Sequence, residues 1–316
     1  MKILVTGGAG YIGSVAVKEL VSKGYEVIVV DNLSKGKIKL VDSKAKFYEV
    51  DLTDKEKLSF VFNEENIDAV IHFAGYKAVE ESMNNAVKYS DNIYGTINLL
   101  NLMVKHNIKK IIFSSSAAVY GLPDKDIIDE DEKKAPINYY GYTKSVCEDI
   151  IDWYSKIYDI RYCALRYFNV AGDGGLNYID PDAKNLFPLV MNVITGKQDK
   201  LMIFGDDYNT EDGTCKRDYI DVKDLVDAHI LALDCNKNEI INIGTGKGYS
   251  VKEVVNAFSK VLGKEIPFEI KSRRKGDPKT LIASNTKAKE ILGWNPRKDL
   301  LDMVKSTYNA YRGGGK

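Results

Sequence analysis

Tyr140 and Lys144 stand four residues apart, a spacing that puts both side chains on one face of a helix. A phenol titrates near pH 10 when free, so it can act as a base near neutrality only where a cation favours the phenolate. Lys144 is placed to supply that cation. The pair can then take the proton from an alcohol that is being oxidised by hydride transfer. Ser116 closes the run Ser114-Ser115-Ser116 and could hold the same hydroxyl and relay its proton. With 20 tyrosines in 316 residues the spacing alone proves nothing, and it recurs at Tyr219 and Lys223. Position separates the two pairs. Tyr140 opens a helical pattern that follows a strand-like run ending in the serines, at the edge where ligands bind in open α/β sheets. Tyr219 has no such serine upstream, and a structural role is expected for it.

Hydride chemistry needs a carrier, and a carrier site is written near the N-terminus. The strand-like run KILVTG leads into Gly7-Gly8-Ala9-Gly10-Tyr11-Ile12-Gly13 and then into a helical pattern. Gly7, Gly10 and Gly13 permit a tight turn and close backbone approach to a pyrophosphate, and a helix N-terminus offers free N–H groups and a positive dipole end. The second strand-like run ends at Asp31. A carboxylate there accepts hydrogen bonds from ribose hydroxyls and repels a 2′-phosphate, which favours NAD over NADP. Asp51, at the end of the third run, is a candidate contact to the adenine amino group. Read alone, Asp31 and Asp51 would be turn or cap residues.

The elements that must position these groups alternate. Apolar runs at 2–7, 26–31, 46–51, 68–75, 109–116 and 160–169 are separated by helical patterns at 12–23, about 83–106 and about 139–158. This predicts right-handed βαβ units, hence an α/β fold with a doubly wound parallel sheet of Rossmann type and a smaller α+β C-terminal substrate lobe. Residues 1–170 form the dinucleotide-binding part, with 216–244 returning to it. Residues 171–215 and 245–316 form the lobe, with helices expected near 186–196, 250–262 and 286–292. The glycine-rich tail 313–316 is left out of this reading. A hydrophobic share of 44% allows a sizeable core, and 45 basic against 45 acidic residues argue against a general nucleic-acid or membrane-surface binder. Cys147, Cys163, Cys215 and Cys235 and the histidines His72, His106 and His229 show no metal-ligand spacing, so no metal is expected. The N-terminal residues read as strand and glycine loop rather than as a signal peptide, which points to the cytoplasm.

The segments VTGGAGYIGS (5–14), VIHFAGYKAVEES (70–82), IIFSSSAAVYG (111–121), YYGYTK (139–144), LRYFNVAG (165–172), DYNTEDGTCKRDYI (207–220) and RRKGDP (273–278) resemble the extended short-chain dehydrogenase/reductase family, and within it the UDP-glucose 4-epimerases. The similarity runs from residue 1 to about 311. The glycine loop and Tyr-x-x-x-Lys mark the superfamily; FAGYKAV, IFGDDYNTEDGT and KRDYIDV are more specific. The resemblance implies NAD contacts at Gly7, Gly10, Tyr11, Ile12, Gly13, Asp31, Asn32, Leu33, Ser34, Lys35, Gly36, Asp51, Leu52, Phe73, Ala74, Gly75, Tyr76, Lys77, Asn92, Lys144 and Phe168. It implies Tyr140 as base with Ser116 assisting. Lys77, Phe168, Asn169, Asn185, Leu186, Met202, Ile203 and Phe204 would touch the sugar nucleotide. Arg217 and Arg274 would bind its diphosphate, and Asp277 its ribose. Read alone, Arg217 would be an ion-pair partner of Asp218 or Asp221. Leu281 stands where the family often has Tyr or Cys, and would line the pocket at the sugar C2 substituent.

The implied reaction is redox-neutral: oxidation at C4, rotation of the 4-keto sugar on its UDP anchor, and return of the hydride to the other face. It interconverts UDP-glucose and UDP-galactose, with UDP-N-acetylhexosamines as further candidates. A 4,6-dehydratase or decarboxylase on the same scaffold is the nearest alternative; a dehydratase would need an acid where Ala117 and Ala118 stand. A non-catalytic NAD-binding regulator is the alternative from another class. The helices near 83–106 and 139–158 carry apolar residues on more than one face, including Ile97, Leu100, Met103, Ile150, Trp153 and Ile157. A homodimer through these helices is implied, burial within one chain being the alternative.

Overall fold

The structure is a computed structural model and describes residues 1–178, 185–274 and 276–313. The tail 314–316 and Lys275 of the RRKGDP segment lie outside the described residues. In chain order the elements are β1 (Lys2–Thr6), α1 (Tyr11–Ser22), β2 (Glu26–Asp31), β3 (Lys46–Glu49), α2 (Lys55–Glu64), β4 (Ala69–His72), α3 (Val79–Asn84), α4 (Ala86–Lys105), β5 (Lys110–Ser114), β6 (Ile127–Ile128), α5 (Tyr139–Tyr158), β7 (Arg161–Tyr167) and β8 (Asn169–Ala171). They continue with α6 (Leu186–Ile194), β9 (Leu201–Phe204), β10 (Lys216–Asp221), α7 (Val222–Leu231), β11 (Glu239–Ile243), β12 (Gly248–Ser250), α8 (Val251–Leu262), β13 (Phe268–Lys271), β14 (Thr280–Ala283), α9 (Thr286–Leu292) and α10 (Leu300–Gly313).

Seven strands form one sheet in the order β3-β2-β1-β4-β5-β7-β11, every neighbouring pair parallel. Successive residues of a strand face opposite sides, and both sides are covered here. Ile3 and Val5 pack with Val15 and Leu20 of α1 and Leu225 of α7. Leu4 packs on the other side with Leu58 and Phe62 of α2, Leu99 and Met103 of α4 and Ile151 of α5. The near-continuous apolar runs are therefore strands with no solvent face. Each such side chain contributes roughly 1.5–3 kcal/mol on burial. The chain winds outward from β1 to β3 and resumes at β4 on the other side of β1. The loops after β1 and β4 thus open side by side at the carboxyl edge, the switch point where open α/β sheets bind ligands.

A smaller core holds the lobe, built on Phe187, Val190 and Met191 of α6, Ile203 of β9, Tyr219 of β10, Val254 and Phe258 of α8, and Met303 and Val304 of α10. Of the returning segment 216–244, β11 joins the central sheet and α7 packs against it. β10 instead pairs with β8, β12 and β14.

Three departures from the sequence expectations have local causes. The helix expected over 83–106 is two helices, because Asn85 leaves the helix and its side chain accepts from Lys88 N (3.2 Å), capping α4. The α2 helix, capped by Asp54 and burying Leu58, Val61 and Phe62, was not anticipated. Nor was α10, a third helix after residue 245. Among the described residues no helix is long and apolar enough to cross a membrane.

Candidate active site

The glycine loop begins at Gly7, whose φ of +73° is left-handed and whose backbone lies so close to the loop after β4 that a Cβ would fall 2.6 Å from Ala74 N. Gly10 N donates to Gly7 O (3.1 Å) and Ser14 N to Gly10 O (2.9 Å), which turns the chain into α1. No side chain caps α1 and its first turn holds no acid, so its leading N–H groups and positive dipole end face outward from the switch point. That cradle fits a dinucleotide pyrophosphate. Tyr11 and Ile12 lie in this first turn; the Tyr11 hydroxyl donates to Gly172 O, and its ring sits 6.0 Å from the Lys77 ammonium.

Asp31 is buried at the end of β2, and burial raises its pKa. Its carboxylate accepts from Ala9 N (3.0 Å) and Leu33 N (2.8 Å), so it also fastens the glycine loop to the 32–36 loop. Gly36 lies against that carboxylate, Leu33 has φ +56°, and Ser34 N donates to Asn32 Oδ1 (3.0 Å). Lys35 is engaged within this protein. Asp51 accepts from Asn32 Nδ2 (2.6 Å) and from the amide (2.8 Å) and hydroxyl (2.6 Å) of Thr53; Leu52 gives its carbonyl to Asn98. After β4, Phe73 and Ala74 donate to Thr6 O, and Asn92 holds Tyr76 by both its N–H (2.8 Å) and its carbonyl (3.0 Å). Asn92 thereby shapes the turn through Gly75.

The proton-transfer group assembles where α5 meets the end of β5. Asn138 caps α5 through Gly141 N (2.8 Å), and Gly141 carries no Cβ because Ala118 O occupies that space. The first turn of α5 therefore sits directly on the 3₁₀ turn 117–119, whose first amides Ser116 caps by accepting from Ala118 N (3.1 Å), and this brings Tyr140 beside Ser116. Tyr140 is 7% exposed; burial raises its pKa well above the usual phenol value, the neighbouring Tyr167 adds to this, and the hydrogen bond with Ser116 opposes it. One turn on, Lys144 is 5% exposed, donates to Ser114 O (2.8 Å) and lies 4.7 Å from the Phe113 ring. Burial pulls its pKa down to about 8. The other Tyr/Lys pair does not share a helix: Tyr219 is buried on β10 against Phe187 (5.4 Å), and Lys223 lies on α7 near Glu19 (3.9 Å).

The residues suggested for the sugar nucleotide fall on several elements. Phe168 is buried with Ala117, Val119 and Tyr120, and Leu281 packs on the same cluster, beside the Ser116 turn. Asn169 donates to Asp218 O (3.2 Å). Asn185 precedes α6 with its side chain making no cap bond, and Leu186 rests on the lobe core. On β9 the strand alternation divides the expected set. Met202 is 41% exposed, whereas Ile203 is 1% exposed and points into the core, so only its backbone is available. Phe204 carries the Arg274 guanidinium 4.0 Å from its ring. Arg217 pairs neither with Asp218, which binds the 245–246 turn and Ala283 N, nor with Asp221, which caps α7. Its partner is Asp277 at 2.5 Å. The β10–β14 register sets Arg217 beside Leu281. A buried network around Glu148, Arg166 and Ser115 adjoins the site and was not anticipated; its polar residues sit in otherwise apolar patterns, which was the available signal.

Residues 3–244 match the model of the NAD dependent epimerase/dehydratase family. The UDP-glucose 4-epimerase of Lactobacillus helveticus is 48% identical over 315 residues, which cover 97% of this chain and 96% of that protein. The UDP-glucose 4-epimerase of Bifidobacterium longum, solved with NAD+ and UDP, superposes with a TM-score of 0.92 at 41% identity, covering 99% of this chain and 100% of that one. The UDP-Glc/GlcNAc 4-epimerase of Campylobacter jejuni gives 0.88 at 41% identity, over 98% and 99% of the two chains. With its Rossmann-type sheet, glycine loop and Tyr140–Lys144 pair, the chain belongs to the NAD dependent epimerase/dehydratase family.

Proposed function

We propose that this enzyme interconverts UDP-glucose and UDP-galactose by transient oxidation at C4. The observation that carries the reading is the cluster at the carboxyl end of β5: buried Tyr140 and buried Lys144, one helical turn apart, beside half-buried Ser116. Bound NAD, held by the glycine loop, Asp31 and the 73–77 loop, supplies the redox chemistry at C4. Ser116 orients the C4 hydroxyl and passes its proton to Tyr140. The charge of Lys144 lowers the cost of forming the phenolate, which burial alone would forbid. Tyr140 keeps that proton while the 4-keto sugar turns over and gives it back as the hydride is returned to C4, so no net oxidation remains.

Arg217 and Arg274 anchor the diphosphate during that turn, since guanidinium forks match phosphate oxygens. Asp277 takes the ribose. The part built on the central sheet holds the cofactor and the lobe holds the nucleotide, a division supported by the separate lobe core. A dehydratase would need a further acid beside the trio; Ala117 and Ala118 offer none, and Ala117 is packed in an apolar cluster. A homodimer through α4 and α5 belongs to this reading. Leu100 and Met103 are spent in the core, yet Trp153 is 61% and Ile157 62% exposed on α5, with Tyr94 and Val87 exposed on α4. A cytoplasmic setting fits four cysteines that form no disulfide. The test is to incubate purified protein with UDP-galactose, with and without added NAD. Appearance of UDP-glucose supports the reading, and its absence in both refutes it.

A further inference from the structure

Three consecutive serines do different work at the end of β5. Ser114 gives its carbonyl to Lys144, and Ser116, whose hydroxyl accepts from Ala118 N (3.1 Å), stands beside Tyr140. Between them Ser115 is wholly buried and donates its hydroxyl to Glu148 Oε1 (2.6 Å). Glu148 lies one turn beyond Lys144 on the inner face of α5 and is itself 2% exposed. Its carboxylate also receives Arg166 Nε (2.8 Å) and Nη2 (2.6 Å) from β7, a bidentate pair closed to solvent. Arg166 Nη1 donates to the Tyr120 hydroxyl (3.0 Å), which donates to Asn242 Oδ1 (2.7 Å) on β11. One carboxylate thus ties the serine segment, the catalytic helix and the two strands beyond β5 into a single unit.

We propose that Glu148 is a positioning residue of the reaction, which through Ser115 locks the serine segment against α5 so that the Lys144–Ser114 and Tyr140–Ser116 contacts hold together. A buried ion pair is weak evidence for stability, because desolvation offsets most of its attraction. This pair is placed where it sets geometry. Without the Ser115 bond, the peptide joining the two contacts is held by its backbone alone, and a small displacement at a reacting group is costly in rate. Glu148 has an electrostatic effect as well: with Cys147 it favours the charged form of Lys144, against burial. The other groups facing this pair are His72 from β4, which burial keeps neutral with a pKa of about 3, Arg166 and Tyr167 from β7, Tyr120 after the 3₁₀ turn, Tyr140 on α5, and Lys134, 3.7 Å from Glu148.

The inference rests on the epimerase reading, which turnover of UDP-galactose by the unaltered enzyme tests by itself. Two variants then test the positioning. Ser115→Ala keeps the ion pair and removes the one bond to the serine segment. It should lower kcat about tenfold or more, with KM for UDP-galactose within about twofold of the parent and the melting temperature well above the assay temperature. Glu148→Gln removes the charge. It should move the alkaline limb of kcat/KM to lower pH, which Ser115→Ala should leave in place. A Ser115→Ala enzyme that melts earlier but turns over at the parental rate overturns the proposal. So does a Glu148→Gln enzyme that folds and keeps both the parental kcat and the parental pH profile.

Discussion

Alkaline titration of Lys144 should switch the enzyme off well before an ordinary lysine would. Burial depresses this ammonium to a pKa of about 8, so it is charged below that pH and loses its charge as pH rises through it. In the proposed reaction the phenolate of Tyr140 draws on that charge, so kcat/KM should follow the charged fraction. From the Lys144 value, the fraction is about 0.91 at pH 7 and about 0.09 at pH 9, so kcat/KM should fall about tenfold between them. A lysine with the free value of about 10.4 would lose only a few per cent over the same range. The positive charge of a bound nicotinamide pushes in the same direction. The assay is the initial rate at low UDP-galactose across this range at constant ionic strength, with the melting temperature recorded at each pH. Lys144→Met keeps the aliphatic stem and removes the charge. It should be slow throughout and should lack the limb. A limb that begins above about pH 10, or that survives in Lys144→Met, would refute the assignment.

Tyr140→Phe should keep the fold and lower kcat by about 10²–10⁴-fold, whereas Tyr219→Phe, altering a residue of the separate lobe core, should stay within a few-fold; equal losses would dissolve the distinction. Asp31→Ala should weaken NAD binding and narrow its preference over NADP, because a ribose acceptor, a repulsive charge and the fastening of the 32–36 loop all go together; titration of both dinucleotides into stripped protein reads this out. Leu281→Tyr should suppress epimerisation of UDP-N-acetylglucosamine more than that of UDP-glucose, since it enlarges a side chain that packs beside Ala117 and Phe168. In the parent, UDP-N-acetylglucosamine should turn over measurably but more slowly, because leucine leaves room for an acetamido group yet offers its amide no partner, a deficit of roughly 1–3 kcal/mol. Equal loss of both activities in Leu281→Tyr would mark that residue as core.

What the sequence disclosed was local pattern. The β1 run, the glycines and the helix after them announce one another, and the edge of the sheet that carries Tyr140 follows from the strand ahead of it. The partners joined across long stretches of chain were not visible. Arg217 meets Asp277 across 60 residues, and nothing near Arg217 distinguishes that acid from Asp218 or Asp221. Arg166 interrupts an apolar strand run and so gave a signal of burial, but its partner Glu148, in a helix with Asp149 and Asp152, reads as a surface charge until the fold closes both to water. On β9, Met202, Ile203 and Phe204 could not be sorted until the lobe core fixed which face was inside. The end of α3 was in fact spelled out by Asn85, three residues before the amide it caps, but the apolar periodicity running through it concealed the break.

The Arg217–Asp277 pair makes the proposed nucleotide seat a matter of exchange rather than simple attraction. An anion arriving at Arg217 meets a guanidinium whose charge is already balanced by a carboxylate 2.5 Å away. Inorganic phosphate or pyrophosphate can displace that carboxylate only by leaving Asp277 without its donor, close to the newcomer's own negative charge. A nucleoside diphosphate brings compensation with it, because ribose hydroxyls can donate to the acid that its phosphates dislodge. On the proposed reading, the Arg217 half of the seat favours ligands that offer an anion and a neighbouring diol together over those carrying only the first.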